Sequence, residues 1–313
     1  MRKIRQPPPT EGEDRLTPFL ASLVAEDLSP KTVDGYRQDL LAFRRWYRES
    51  RRTELRWEKL GSIDLISYRQ HLVSVERLRP ATVNRRLQAL RRFCRWARDG
   101  KILKADPCET IKSVRVTKRG RPQGLEEPEV HALLRVAGES RYGHARRNYA
   151  VVQFLVQTGL RIREAAALCS ADLKLRERTG SVRVRQGKGR KEREVPLNAS
   201  ARRALRTYLE PRGALPPEAP LFLSGRGGPM AVRSIQNLIA QLARRAKITR
   251  VRVSPHTLRH TFALHYLRQN PGKLVELASL LGHESLDTTA LYTRPSIDDL
   301  AEDLERSHLN VYG

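Results

Sequence analysis

Apolar residues recur at three- to four-residue spacing along most of the chain, which is the period of amphipathic helices. Leu16, Phe19, Leu20, Leu23 and Val24 form the first run, which ends near Leu28. A second starts at Ser29, a good N-cap, with Pro30 at the first helical position, and turns Tyr36, Leu40, Phe43 and Tyr47 inward. A third helix is predicted from about Ile63 to Val75, with Ile63, Ile66 and His71 or Leu72 on its inner face. The fourth, within RPATVNRRLQALRRFCRWARDG, places Val83, Leu87, Leu90, Cys94 and Ala97 on one stripe and stops at Gly100.

The period is lost from Lys104 to Gly124, where prolines, glycines and cations predict an interdomain linker. Beyond it, Glu126, Glu127 and Glu129 open a helix at its positive dipole end, and Val130, Leu133, Leu134 and Val136 continue it. Tyr149–Thr158 is strongly apolar and is predicted to be central, with Gly159 interrupting it. Between Leu173 and Leu197 the period shortens to two, so LKLRE, SVRVR and REVPL read as short strands joined at RTG and QGKGRK. Helices return at Ala199–Leu209 and Ile235–Ala246. The end of the chain, SIDDLAEDLERSHL, sets Ile297, Leu300, Ala301, Leu304 and His308 on one face with five acids around them. The expected fold is mainly α with a small β-sheet. Its parts are a flexible arm (1–13), a helical N-terminal domain (14–103), the linker (104–124) and a mixed α/β domain with a tail helix (125–313).

Charge changes this picture from a scaffold to a polyanion binder. The 313 residues carry 60 Lys and Arg against 34 Asp and Glu, a formal +26. Residues 1–118 hold 27 against 15, which leaves 33 against 19 for the rest, so both halves share the surplus. Such a surface favours rapid, salt-sensitive association with nucleic acid. Arg44 and Arg45 crowd the second helix, Arg85, Arg86, Arg91, Arg92 and Arg95 the fourth, and Lys118, Arg119 and Arg121 the linker; these are the candidate DNA contacts. No apolar run reaches the 18 or so residues of a membrane helix, and the N-terminus lacks the apolar core of a secretory signal. A cytoplasmic, nucleoid-associated protein is expected. Cys94, Cys108 and Cys169 are odd in number and show no CxxC spacing, which predicts neither a disulfide framework nor a cysteine zinc site.

The densest chemistry lies between Ser254 and Tyr292. His256, Arg259, His260 and His283 supply cations and donors suited to a phosphodiester, and Tyr292 supplies a hydroxyl able to attack one. His256 and His260 have the i, i+4 spacing of zinc ligands, but no HExxH glutamate is present and Arg259 between them opposes a cation, so no metal is expected. His260 and His265 read as structural histidines without a catalytic role.

Four pieces then fall in order: TGLRIRE, QGKGRKEREVPL, HTLRH and LLGHESLDTTALYT. Together they resemble the tyrosine recombinase (lambda-integrase) family, in its Xer-like branch, over the whole chain. The resemblance implies a SAM-like, four-helix DNA-binding domain and a tyrosine-recombinase catalytic domain that close on duplex DNA as a C-shaped clamp. It implies catalytic roles for Arg161, Lys188, His256, Arg259 and His283 around the nucleophile Tyr292, with Lys191 an alternative to Lys188 as general acid. Two loop-sized departures, in KLRERTG and QNPGK, leave all six positions filled. The activity implied is site-specific DNA strand exchange through a 3′-phosphotyrosyl link and a Holliday junction, with no cofactor. The implied partners are a double-stranded site with a short inverted-repeat core and a homo-tetramer, or a hetero-tetramer with a paralogue. A non-catalytic DNA-binding protein on the same fold and a type IB topoisomerase-like activity are the alternatives.

Physical chemistry agrees with that assignment. Charge builds on the non-bridging oxygens when a phosphodiester is attacked, and guanidinium forks match those oxygens while staying charged. Nearby cations are expected to favour the Tyr292 phenolate, and His256 to help remove its proton.

Overall fold

The computed structural model describes residues 15–116, 122–139, 144–185, 192–283, 285–293, 300, 301, 304 and 305. They belong to two compact units, Met1–Lys118 and Arg119–Gly313.

Four helices build the first unit: α1 (Leu16–Ala25), α2 (Pro30–Arg51), α3 (Ser62–Ser74) and α4 (Pro80–Asp99). Ser29 caps α2 by accepting the Thr32 amide through its hydroxyl at 3.2 Å, with Pro30 in the first turn. The five apolar residues expected along α4 are all buried. They meet an aromatic core in which the Trp57 and Phe93 ring centroids lie 4.3 Å apart, and those of Phe43 and Tyr68 4.9 Å. The inner face of α3 differs from expectation. Leu65, Tyr68 and Leu72 point inward, whereas Ile63 and Ile66 are 73% and 50% exposed. A large aromatic that completes the ring cluster buries more area than either isoleucine, and it sets the rotation of the helix.

The arginines of α4 do not all face outward as bare cations. Arg85 pairs with buried Asp39, Arg86 with Glu76 at 3.0 Å, and Arg92 with Glu26, while Arg91 donates to the Ile111 carbonyl at 2.6 Å. Carboxylates of the chain itself therefore take up much of the like-charge repulsion. The residues after α4 are held on this unit too. Leu103, Cys108 and Ile111 are buried in its core, and the Asn84 amide exchanges two 2.8 Å hydrogen bonds with Val114.

The second unit is organised on α6 (Ala145–Thr158), whose residues Ala150–Leu155 are all buried. Helices α5 (Glu127–Gly138), α8 (Ala199–Leu209) and α10 (Pro255–Gln269) pack on it. Between α7 (Ile162–Ala167) and α8 runs an antiparallel meander of β1 (Leu173–Leu175), β2 (Gly180–Val184) and β3 (Arg193–Pro196). In the register Val182↔Val195 the valines face the core, while Arg183 and Glu194 face out. Helix α9 (Val232–Arg245) begins three residues earlier than its apolar pattern suggested, and α11 (Leu274–Leu281) and α12 (Leu286–Ala290) complete the unit. Most of the acidic tail lies outside the described residues; Leu300 and Leu304, which belong to it, are exposed.

Candidate active site

Two helix ends and one strand converge on a single carboxylate. Helix α6 stops at Gly159, which has φ +61°, and the chain turns so that Arg161 precedes α7. Glu164, one turn into α7, accepts the Arg161 amide at 2.8 Å and its guanidinium at 3.0 Å. From β3, Arg193 grips both oxygens of the same carboxylate at 3.0 and 2.8 Å. Helix α11 likewise ends on a left-handed glycine, Gly282, at φ +64°. Its last carbonyls accept guanidinium N–H groups: Leu280 from Arg193 at 3.1 Å, Leu281 from Arg259 at 2.8 Å, and Gly282 from Arg161 at 3.1 Å. The orphan carbonyls and negative dipole ends of two helices thus hold an arginine cluster.

Arg259 reaches this cluster from α10. Ser254 caps that helix, its hydroxyl accepting the Thr257 amide at 3.2 Å, and Pro255 occupies the first turn. This start fixes the rotation that sends Arg259 inward, where it is 4% exposed. It donates to Gly159 O at 2.7 Å and to His283 Nε2 at 2.8 Å. A guanidinium has only donors, so Nε2 of His283 carries no proton and Nδ1–H donates to Thr289 Oγ1 at 2.7 Å. Burial, with Arg259, Arg161 and Arg193 nearby, pushes the His283 pKa down to about 4, so the ring is neutral at physiological pH. Burial and Arg161 likewise lower that of Arg259 to about 10, which leaves it charged.

Tyr292 follows α12 and is 4% exposed, packed on Ala263, Leu264, Leu277 and Leu281. Burial raises its pKa and the opposing effect of Arg259 is smaller, so in this state the residue is a phenol. Arg259 favours the phenolate, as expected of a neighbouring cation, but by less than burial opposes it. Its hydroxyl lies 2.8 Å from Nδ1 of His260, which reads in the sequence as a structural histidine without a catalytic role. His256 is exposed at the start of α10, its ring centroid 6.3 Å from that of His260.

The structure therefore gathers Arg161, Arg259, His283 and Tyr292 into one region and leaves His256 exposed one helical turn from His260. Lys188 and Lys191 lie outside the described residues, as do Lys118, Arg119 and Arg121. Three guanidiniums against one carboxylate leave an excess of positive charge, suited to a phosphodiester that gains negative charge during attack. Among the described residues the group whose spacing would allow a metal is Cys94, Asp106 and Cys108 in the first unit, with ligand atoms within 4.8 Å of one another.

Residues 123–298 match the Phage integrase family, and residues 16–101 match the Phage integrase, N-terminal SAM-like domain. The chain belongs to the tyrosine recombinase family. It is 35% identical to Tyrosine recombinase XerD of Ralstonia nicotianae over 92% of this chain and 91% of that protein. It is also 35% identical to Tyrosine recombinase XerC of Myxococcus xanthus, over 90% and 92%. The fold matches the XerH site-specific recombinase bound to difH substrate in a pre-cleavage complex, with TM-score 0.68, 22% identity and 90% and 81% of the two chains covered. As a tyrosine recombinase, this chain is an enzyme of the site-specific recombinase class, and among its described residues no helix is long and apolar enough to cross a membrane.

Glu164, Arg193, His260 and Thr289 were not assigned from sequence. For Glu164 a signal existed in the RIRE spacing, since an acid three residues after a helix start satisfies the first amides. For the other three, the partner is fixed only by tertiary approach.

Proposed function

We propose that this tyrosine recombinase cleaves and rejoins duplex DNA at a short inverted-repeat site, with Tyr292 as nucleophile. Attack on the scissile phosphorus gives a 3′-phosphotyrosyl link and a free 5′-hydroxyl. The bond energy is kept for religation to a partner strand, and no cofactor takes part. Arg161 and Arg259 hold the non-bridging oxygens, His256 and His283 add hydrogen bonds, and Lys188 protonates the leaving oxygen. Residues 14–103 and 125–313 grip the duplex together, joined by 104–124, whose Cys108, Ile111 and Val114 pack on the first unit. Four protomers on two sites exchange strands in pairs through a Holliday junction, as a homo-tetramer or with a paralogue.

The observation that carries this reading is the convergence of Arg161, Arg193 and Arg259 beside the buried Tyr292. A nicked suicide substrate carrying the site tests it. The wild-type chain is expected to give a protein–DNA adduct stable to denaturant, and Tyr292→Phe none; absence of the wild-type adduct favours a non-catalytic binder. The acidic tail is proposed to dock on a neighbouring protomer, so truncation after Arg294 is expected to abolish synapsis while single-site binding persists.

A further inference from the structure

We propose that His260, not His256, is the catalytic base that takes the phenolic proton of Tyr292. The inference rests on the reading of Tyr292 as nucleophile and adds a residue to that site.

Geometry carries it. His260 lies one turn beyond His256 on α10, half-buried, and its Nδ1 is the hydrogen-bond partner of Tyr292 Oη among the described residues, at 2.8 Å. The rings are tilted by 56° with centroids 5.6 Å apart, so the contact is directed at the hydroxyl and is not a face stack. A buried phenol must donate its proton to some acceptor. With Nδ1 as that acceptor, the His260 proton sits on Nε2, and Nδ1 presents a lone pair to the O–H bond.

The groups that act on His260 support a neutral ring. They are His256 and Arg259 from its own helix and Tyr292 from the segment after α12. Burial, then His256, then Arg259 hold its pKa below the ordinary histidine value, so the ring is an available base at neutral pH. Tyr292, held a phenol by burial, needs one. His256, exposed and without a hydrogen bond to Tyr292 among the described residues, is left to face the phosphate.

The step balances. The Tyr292 Oη–H bond breaks and its proton moves to His260 Nδ1, giving an imidazolium. Oη forms its bond to phosphorus as the P–O5′ bond breaks, and the 5′ oxygen takes a proton from the general acid. Religation runs the same transfers in reverse, so His260 returns the proton to Tyr292.

His260→Asn separates proton transfer from positioning, because an asparagine side-chain polar atom can stand near the place of Nδ1 but cannot take the proton. At pH 7 its rate of adduct formation on a nicked suicide substrate is expected to fall by about 10²-fold. The deficit is expected to close as pH rises toward ionisation of the phenol itself. DNA affinity, measured by band shift, is expected to stay at the wild-type level. As a second measurement, added imidazole is expected to restore adduct formation to His260→Ala in proportion to its free-base concentration. A wild-type rate and pH profile for His260→Asn, or a loss equal at every pH with no imidazole rescue, overturns the assignment while Tyr292 remains the nucleophile. A wild-type chain that forms no adduct overturns both.

Discussion

Glu164 sits among Arg161, Arg193 and Arg259, and its titration should be visible in the stability of the catalytic unit. Burial pushes its carboxyl up, but Arg193 and the Arg161 amide and guanidinium more than offset this and hold it below the ordinary 4.5. A depressed carboxyl contributes stability above its unfolded pKa and loses it as pH falls through the folded value. His283 acts in a higher window. Its pKa of about 4 against 6.5 in the unfolded chain means stability complete above 6.5 and lost progressively toward 4, because only the unfolded chain takes up the proton. Thermal melts across this range are expected to show both declines. His283→Asn should flatten most of the upper one, leaving the part due to His260, and Glu164→Gln should remove its own share of the lower one, to which the depressed carboxyls of Glu129 and Asp172 also contribute, while costing about 3 kcal/mol at neutral pH by leaving partly buried guanidiniums unpaired. Arg259→Lys is expected to slow adduct formation by about 10²–10³-fold, since one ammonium cannot reproduce a planar fork aimed at fixed acceptors. Arg161, Arg259, His283 and Tyr292 were legible because each sits in a short motif of set spacing. His260 was not, since residues 256 and 260 share one helix face and only the approach of the Tyr292 segment decides which of them meets the hydroxyl.

At the scale of elements, two glycine caps do for the cluster what no side chain could. Gly159 and Gly282 stop α6 and α11 in the left-handed conformation, and the carbonyls at those ends accept from Arg161, Arg193 and Arg259. A Cβ at Gly282 would lie 2.7 Å from Arg193 Nη1, whereas at Gly272, φ +82°, nothing lies within 4 Å. Gly272→Ala therefore carries only the conformational cost, about 1–2 kcal/mol. Gly282→Ala is expected to cost more by urea unfolding and also to slow adduct formation, because Arg193 must leave Glu164 to make room; equal costs and unchanged cleavage would show that the cap does not position the arginines. Helical period exposed α1, α2, α4 and α8 in the sequence, and alternation exposed the three strands, because each element has one clearly apolar face. For α3 the two isoleucines misled, since the buried positions were decided by Tyr68 joining rings contributed by α2 and α4 and by the turn at Trp57.

For the molecule as a whole, the count of 60 Lys and Arg overstates the cations available to a polyanion, whereas the formal +26 already subtracts the acids that pair with some of them. In α4, Arg85, Arg86 and Arg92 are already paired with acids, and among the described residues Arg45 and Arg95 are exposed and take no ion pair. If each free cation that meets a phosphate releases a counterion, the slope of log affinity against log salt counts those contacts and ignores the paired ones. Arg95→Ala is then expected to weaken binding to specific and unrelated duplexes alike and to reduce the slope by about one. Arg85→Ala is expected to behave otherwise. It strands Asp39, which is 5% exposed, and should lower the stability of the first unit by about 1–3 kcal/mol while leaving the salt slope nearly unchanged at temperatures where that unit stays folded. Fluorescence-anisotropy titrations at several salt concentrations, set beside melts of the same variants, separate the two. Equal slope changes would mean that DNA displaces Asp39 and recruits Arg85, so that the internal acids would serve as placeholders for phosphates.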